Sequence, residues 1–253
     1  MRGSAITAGI LFLLLIFVTA CTGHDPNRGL SLIKETDHSR FFSPEEHAGD
    51  GDAISKLAEA FEANYSRITN FFQYESADKM SIHVYTNKAD FQKMIGRDTE
   101  GTYVASENII KVYTPANLTS PEAEALFTDQ VVHEFVHAVI QSINPDVGRV
   151  KWLDEGIAYY ASGQLEKELQ MKTVFYDQPT FEQFSSPNYF ENAGGRAYFY
   201  SGTIIQYIID QYGIDALNEM IRNPEQKQLE RVLNTTINQL FIDWTVYLLK
   251  VEQ

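Results

Sequence analysis

The sequence predicts an α+β fold: a small mixed sheet with its helices first, then a mostly helical C-terminal half. Three observations carry this. The strand signals are short and close together, at Met80–Tyr85, Tyr103–Ser106 and Ile109–Tyr113. The stretch opened by Ser120-Pro121 carries Phe127, Val131, Val132, Phe135, Val136, Val139 and Ile140, which makes a helix apolar most of the way round, the mark of a buried one. Beyond Gln178 the periodicity is helical almost throughout.

Residues 1–21 read as a signal peptide. They carry one charge, Arg2, before an apolar run from Ala5 to Ala20. That run is short for a membrane-spanning helix of about 20 residues and suits a secretory h-region. It ends Val18-Thr19-Ala20-Cys21, which resembles a bacterial lipobox, so Cys21 is expected to be lipidated and to become the new amino terminus. The alternative is an uncleaved signal anchor. Either way the following domain would sit on the extracytoplasmic face of a cell membrane. Cys21 is the only cysteine, which excludes a disulfide within the chain.

Residues 22–50 mix Gly, Pro, Asp, Ser and His with little periodicity and read as a tether, with His24, His38 and His47 solvated. Residues 51–253 then form one domain. Ile54, Leu57, Ala58, Phe61, Tyr65, Ile68, Phe71 and Phe72 recur at helical spacing across 52–72. Met80–Tyr85 alternates like a strand, and Asn87 can cap a short helix through Phe91 to Ile95. Tyr103–Ser106 and Ile109–Tyr113 form a candidate hairpin turning at Glu107-Asn108, where Asn tolerates a left-handed conformation. The buried helix starts at Pro121 with Ser120 as cap and ends at Asn144-Pro145-Asp146. A helix from Trp152 to Gln170 follows, then helices near Gly195–Tyr212, Asp215–Arg222 and Thr236–Val251.

The chemistry is concentrated in two runs. Val131-Val132-His133-Glu134-Phe135-Val136-His137 reads H-E-x-x-H on the buried helix, and Trp152-Leu153-Asp154-Glu155-Gly156 follows on the next. Residues four apart share a helix face, so His133 and His137 can aim two imidazoles at one metal ion. Glu134 is offset around the helix, where a general base for a metal-activated water belongs. Glu155 supplies a third ligand, and three ligands with an open fourth position describe a catalytic zinc site. Gly156 and Ala158 would let their helix approach another closely. Read from the residues alone, the alternative is two satisfied core histidines and a surface Glu.

The same two runs resemble the gluzincin branch of the zinc metallopeptidases, and in style the peptidase MA-like family, which implies a zincin-like fold. The resemblance extends over Arg196-Ala197-Tyr198, the stretch to Tyr212-Gly213, and Leu240 through Tyr247, covering about residues 52–250. It implies Zn2+ as cofactor, a peptide or protein substrate, and Tyr198 as the donor to the oxyanion, with Tyr200 as runner-up. It also implies a strand near the metal that pairs with an extended substrate; Ile109–Tyr113 or its hairpin partner is the candidate. The thermolysin-like pattern places an Asp four residues after the ligand Glu. Tyr159 stands there, leaving Asp129 or Asp154 to orient a ligand His. No G-x-M-E-N run is present, so the reading is an endopeptidase rather than an aminopeptidase.

The formal charge of −14 and the pI near 4.8 argue against nucleic acid as a partner and against charge-driven adhesion to anionic lipid. Two other classes stay open: a catalytically inactive zinc-binding or partner-binding lipoprotein, and an assembly protein with an incidental motif. Glu134 favours catalysis, because metal binding alone does not need it.

Overall fold

The computed structural model of the protein describes residues 26–44, 51–115, 118–171, 178–186 and 188–251. The signal segment with Cys21, and His24 and His47, lie outside the described residues. Among the described residues, no helix is long and apolar enough to cross a membrane.

The architecture is α+β, as expected. Strands β1 (Ser31–Glu35), β2 (Ser39–Ser43), β3 (Met80–Tyr85), β4 (Gly101–Val104) and β5 (Ile109–Tyr113) form one mixed sheet in the order β1-β2-β3-β5-β4. The outer pairs are antiparallel, and β2–β3 and β3–β5 are parallel. Two helices supply the main partners of this sheet. These are α1 (Gly51–Phe71) and α3 (Pro121–Ile143), which pack through Phe61 and Phe135 with rings 4.5 Å apart. The apolar side chains of Phe41, Ile82, Val84, Ile110 and Val112 join that core. The short helix α2 (Lys88–Ile95) is capped by Asn87, whose side chain accepts from the Ala89 and Asp90 amides.

Residues 22–50 are not a tether throughout. Residues 31–43 are structural: β2 pairs with β3, and β1 pairs with β2. The hairpin is fastened to α1 by Glu62, whose carboxylate accepts from the Thr36 hydroxyl at 2.5 Å and the His38 amide at 3.0 Å. The His38 ring nitrogen Nδ1 lies 2.6 Å from Glu62 Oε2, and the ring stacks on Tyr65 at 3.7 Å. His38 is therefore bonded and stacked while its side chain stays 40% exposed. These partners lie more than twenty residues away in the chain, and local periodicity does not register them.

The expected hairpin forms with its first strand shifted toward the N-terminus. Tyr103–Ser106 becomes Gly101–Val104, and residues 105–108 make the turn with Asn108 at φ 54°. β5 lies between β3 and β4 and is paired on both sides, so of this hairpin's two strands β4 is the one at a sheet edge.

The second half is helical. It comprises α4 (Lys151–Ala161), α5 (Gln164–Gln170), α6 (Phe181–Phe184), α7 (Tyr189–Ala193), α8 (Gly195–Tyr212), α9 (Ile214–Arg222), α10 (Gln226–Leu233) and α11 (Ile237–Val251). The single helix expected over 152–170 is two helices, because Gly163 takes a left-handed φ of 87° that ends α4 and redirects the chain. α6, α7 and α10 are additional short helices. Trp244 of α11 is fully buried, and its indole donates to Thr203 Oγ1 of α8 at 3.2 Å.

His83 of β3 lies in the sheet with its side chain bonded to Asn27, Nε2 to Oδ1, at 2.9 Å. Burial, assisted by the charge of Lys111, pulls its pKa from 6.5 to about 4. The unfolded chain takes up a proton below pH 6.5 that the folded chain refuses until about pH 4, so this contribution to stability is complete above 6.5 and drains away as pH falls toward 4. Urea midpoints measured between pH 7 and pH 4 are expected to fall less steeply in His83→Gln than in wild type. Equal slopes would show that His83 titrates normally.

Candidate metal centre

Helix α3 starts where Ser120 Oγ accepts from the Ala123 amide at 3.2 Å, with Pro121 following in the first turn. Its buried length runs without a break through His133, Glu134 and His137. The two histidines face Glu155 of α4, and the three are only 5–6% exposed. The nitrogens His133 Nε2 and His137 Nε2 are 3.1 Å apart, and each lies 3.3 Å from Glu155 Oε2. Tetrahedral coordination with bonds of about 2.0–2.1 Å spaces neighbouring ligands about 3.3–3.4 Å apart. The three atoms thus form one face of a tetrahedron of the size zinc takes. They are the His/Cys/Asp/Glu group with metal-binding geometry among the described residues.

Each histidine is oriented by its other nitrogen. His137 Nδ1 donates to Asp154 Oδ1 at 2.9 Å, and Gln141 Nε2 donates to the same oxygen at 3.1 Å. His133 Nδ1 donates to Gln164 Oε1 at 2.8 Å, and that oxygen also accepts from Ser162 Oγ at 3.1 Å. These bonds put the proton on Nδ1 and leave the Nε2 lone pairs free for a metal. Of the two second-row candidates in the sequence, Asp154 is in place. Asp129 is not, because it is clamped by Lys167 Nζ at 2.6 Å. Gln164 had no sequence signal, since its position depends on the turn at Gly163.

Two buried carboxylates at the centre, Asp154 and Glu155, demand positive charge beside them. Burial works against ionisation of His137, yet Asp154 and Glu155 outweigh it and hold the ring's pKa well above 6.5. Burial likewise pushes the Glu155 carboxyl up, and His137, His133 and Lys151 overcome it and hold it well below the carboxylate range. Lys151, one turn before Glu155 on the same helix, donates to Glu155 Oε1 at 2.5 Å. A protonated histidine and a lysine thus answer a pair of buried carboxylates, a demand that a divalent metal would meet with neutral imidazoles.

Glu134 is not one of the three clustered ligands, and its Oε1 accepts from Gln130 Nε2 at 2.6 Å. The edge strand β4 begins directly over this pair. A Cβ at Gly101 would lie 2.8 Å from Gln130 Nε2 and 2.9 Å from Glu134 Oε1. Gln130 and Gly101 therefore belong to the site, although neither stood out in the sequence.

Tyr198, on α8, is half-buried at the same place, with its ring centroid 6.4 Å from that of His133. Burial, reinforced by the Glu155 charge, raises its pKa far above 10, so it keeps its proton and remains a donor. Tyr200 is fully buried and packs edge-on against Trp244, which removes the runner-up from the site. Tyr159 bonds to Glu168 of α5 rather than to a ligand histidine.

Glu155 reaches the histidines because α4 lies very close to α8. A Cβ at Gly156 would come within 2.4 Å of the Ser201 carbonyl oxygen and 2.8 Å of its carbon. These are backbone atoms, and no rotamer relieves the clash. Gly156→Ala is expected to cost roughly 1–3 kcal/mol or more through forced separation of the helices. It should also weaken metal binding by moving Glu155. A variant with wild-type melting temperature and metal affinity would show that the helices need not touch.

Comparison with curated proteins gives no match. A family match covers residues 52–237, from near the start of α1 through the histidine pair and Glu155 to the first residue of α11. With strands β3, β4 and β5, the ligand triangle and Glu134 contained in that span, the chain belongs to the Peptidase MA superfamily.

Proposed function

We propose that the protein is a zinc-dependent metallopeptidase, an endopeptidase acting on peptides or proteins. The observation that carries this reading is the triangle of His133 Nε2, His137 Nε2 and Glu155 Oε2, with sides of 3.1, 3.3 and 3.3 Å. Its size suits zinc, and its donor set of two imidazoles and one carboxylate is that of a hydrolytic site with an open fourth position. Zinc held there supplies Lewis acidity, lowering the pKa of a water and polarising the substrate carbonyl.

The remaining work falls to the chain. Glu134 takes the proton from the attacking water and passes it to the leaving amine. Its orientation comes from Gln130, whose amide holds one carboxylate oxygen and leaves the other for the proton. Tyr198 donates a hydrogen bond to the oxygen that gains charge as the carbonyl becomes tetrahedral. Its high pKa keeps that proton in place throughout. Asp154 and Gln164 hold the two imidazoles in the tautomer the site needs. The free edge of β4 aligns an extended substrate by backbone hydrogen bonds beside Glu134, which is compatible with cleavage inside a chain. Of the two hairpin strands, β5 is paired on both sides and leaves this part to β4.

The deciding experiment is elemental analysis and peptide hydrolysis on the purified protein and two variants. Wild type is expected to hold one zinc per chain. Glu134→Gln should retain the zinc and lose about 10²–10⁴-fold in turnover. Glu155→Ala should lose or greatly weaken zinc binding. Undiminished hydrolysis by Glu134→Gln sinks the mechanism, and absence of stoichiometric zinc from refilled wild type sinks the assignment.

We also propose that Cys21 carries a lipid that holds the domain at the extracytoplasmic face of the membrane. The support is the lipobox-like Val18-Thr19-Ala20-Cys21 after a short apolar run. Cys21→Ser is expected to abolish labelling by a palmitate analogue. A variant labelled as strongly as wild type refutes lipidation at this residue.

A further inference from the structure

Two cations stand at the mouth of the metal centre in a chain that has 34 acidic residues and only 20 lysines and arginines. One is Lys151. Its Nζ lies 2.5 Å from Glu155 Oε1, and its side chain is 38% exposed while that of Glu155 is only 7% exposed. It also lines a cavity of about 380 Å³ with Val150, Trp152, Phe184 and Leu229, room enough for an amino-acid side chain. The other is Arg97, an exposed residue just before β4. Its guanidinium donates to Thr102 Oγ1 at 3.0 Å, next to the Gly101 that covers Glu134. The Arg97 charge is felt at both Lys151 and Tyr198, so Arg97 lies near both of them at the site.

The charge count favours an anion there. With neutral imidazoles and a dication in the triangle, the carboxylates of Glu134, Asp154 and Glu155 are outnumbered by one positive charge once Lys151 and Arg97 are included. Glu155 would then share its charge with the metal, leaving Lys151 able to meet a second anion. The ligands are buried, whereas Arg97 is exposed and Lys151 partly so. They are the groups an arriving substrate meets first.

We infer that Lys151 and Arg97 select substrates that carry a carboxylate beside the scissile bond. Lys151 sits one helical turn from Glu155, about 6 Å along α4. An extended peptide advances about 3.3 Å per residue, which puts the carboxylate within one or two residues of the bond that breaks. Either an acidic side chain or a free C-terminus offers this group. The inference rests on the peptidase reading for its geometry, but binding tests it apart from turnover.

The probes are fluorescent N-acylated hexapeptides of one sequence, made with Glu or Gln at a scanned position, and with a free or amidated C-terminus. Binding is measured by anisotropy on the zinc-loaded full chain carrying Glu134→Gln, and cleavage on wild type. Carboxylate peptides are expected to bind at least about tenfold more tightly than their amide counterparts, as for a hydrogen bond to a charged group. Added Lys151→Met or Arg97→Gln should erase most of the difference. Zinc stoichiometry is checked in the first because Lys151 touches a ligand. Arg97 touches none, so its variant carries the test if Lys151→Met loses metal. A preference for the Glu peptides identifies the source as an acidic side chain, and one for the free C-terminus as the chain end. Binding and cleavage indifferent to carboxylates overturn this inference and leave the peptidase reading intact. Carboxylate-selective binding without cleavage by wild type does the reverse. Failure of every peptide to bind overturns both.

Discussion

The structure turns on a pair of buried carboxylates. Asp154 and Glu155 are adjacent in the chain, 3% and 5% exposed, and face into the contact between α3 and α4. Ionised carboxylates in such surroundings cost several kcal/mol each unless cations and hydrogen bonds compensate. His137 lies against both, His133 against Glu155, and Lys151 closes the second oxygen of Glu155. An apolar core would have packed these two helices with less risk. The charged arrangement suits a cation site, with His133, His137 and Glu155 already brought together in the folded chain.

That requirement reaches into the backbone. Glu155 meets the histidines only because α4 lies against α8 at a position that admits no side chain, Gly156 over Ser201. His133 is oriented only because the chain breaks at Gly163 and presents Gln164 to its Nδ1. The same short helix α5 is tied to α3 by Lys167–Asp129 and to α4 by Tyr159–Glu168. A continuous helix over 152–170 would bury Gly163 in its interior at a cost of about 1 kcal/mol and would carry Gln164 past the site. The two histidines consequently have different supports, a carboxylate for His137 and an amide for His133. The carboxylate makes its imidazole the more strongly electron-donating of the pair.

The sheet serves the site from the other side. β4 stands at the edge and carries no side chain where it passes over Glu134 and Gln130. Backbone and the Glu134 carboxylate therefore approach each other without an intervening Cβ. The opposite edge, β1 and β2, is remote from the chemistry and is held by Glu62 of α1.

The parts of this molecule that depend on nearby residues were legible in the sequence. H-E-x-x-H needs only the pitch of a helix to bring His133 and His137 onto one face, and the apolar positions of α1, α3, α8 and α11 recur at that pitch. Ser120-Pro121 and Asn87 mark helix starts because capping is a contact within one turn. Distant contacts were not legible. The strands at 31–43 resemble a tether because their partners, β3 and Glu62, lie elsewhere in the chain. Asp129 and Asp154 are equivalent as sequence, and only the packing of α4 against α3 shows that Asp154 meets His137. Gln130, Gly101, Gln164, Lys151 and Arg97 are ordinary residue types that acquire a role by position. Helix pitch placed the ligands; the crossing of α3, α4 and α8, a property of packed surfaces far apart in sequence, decided their company.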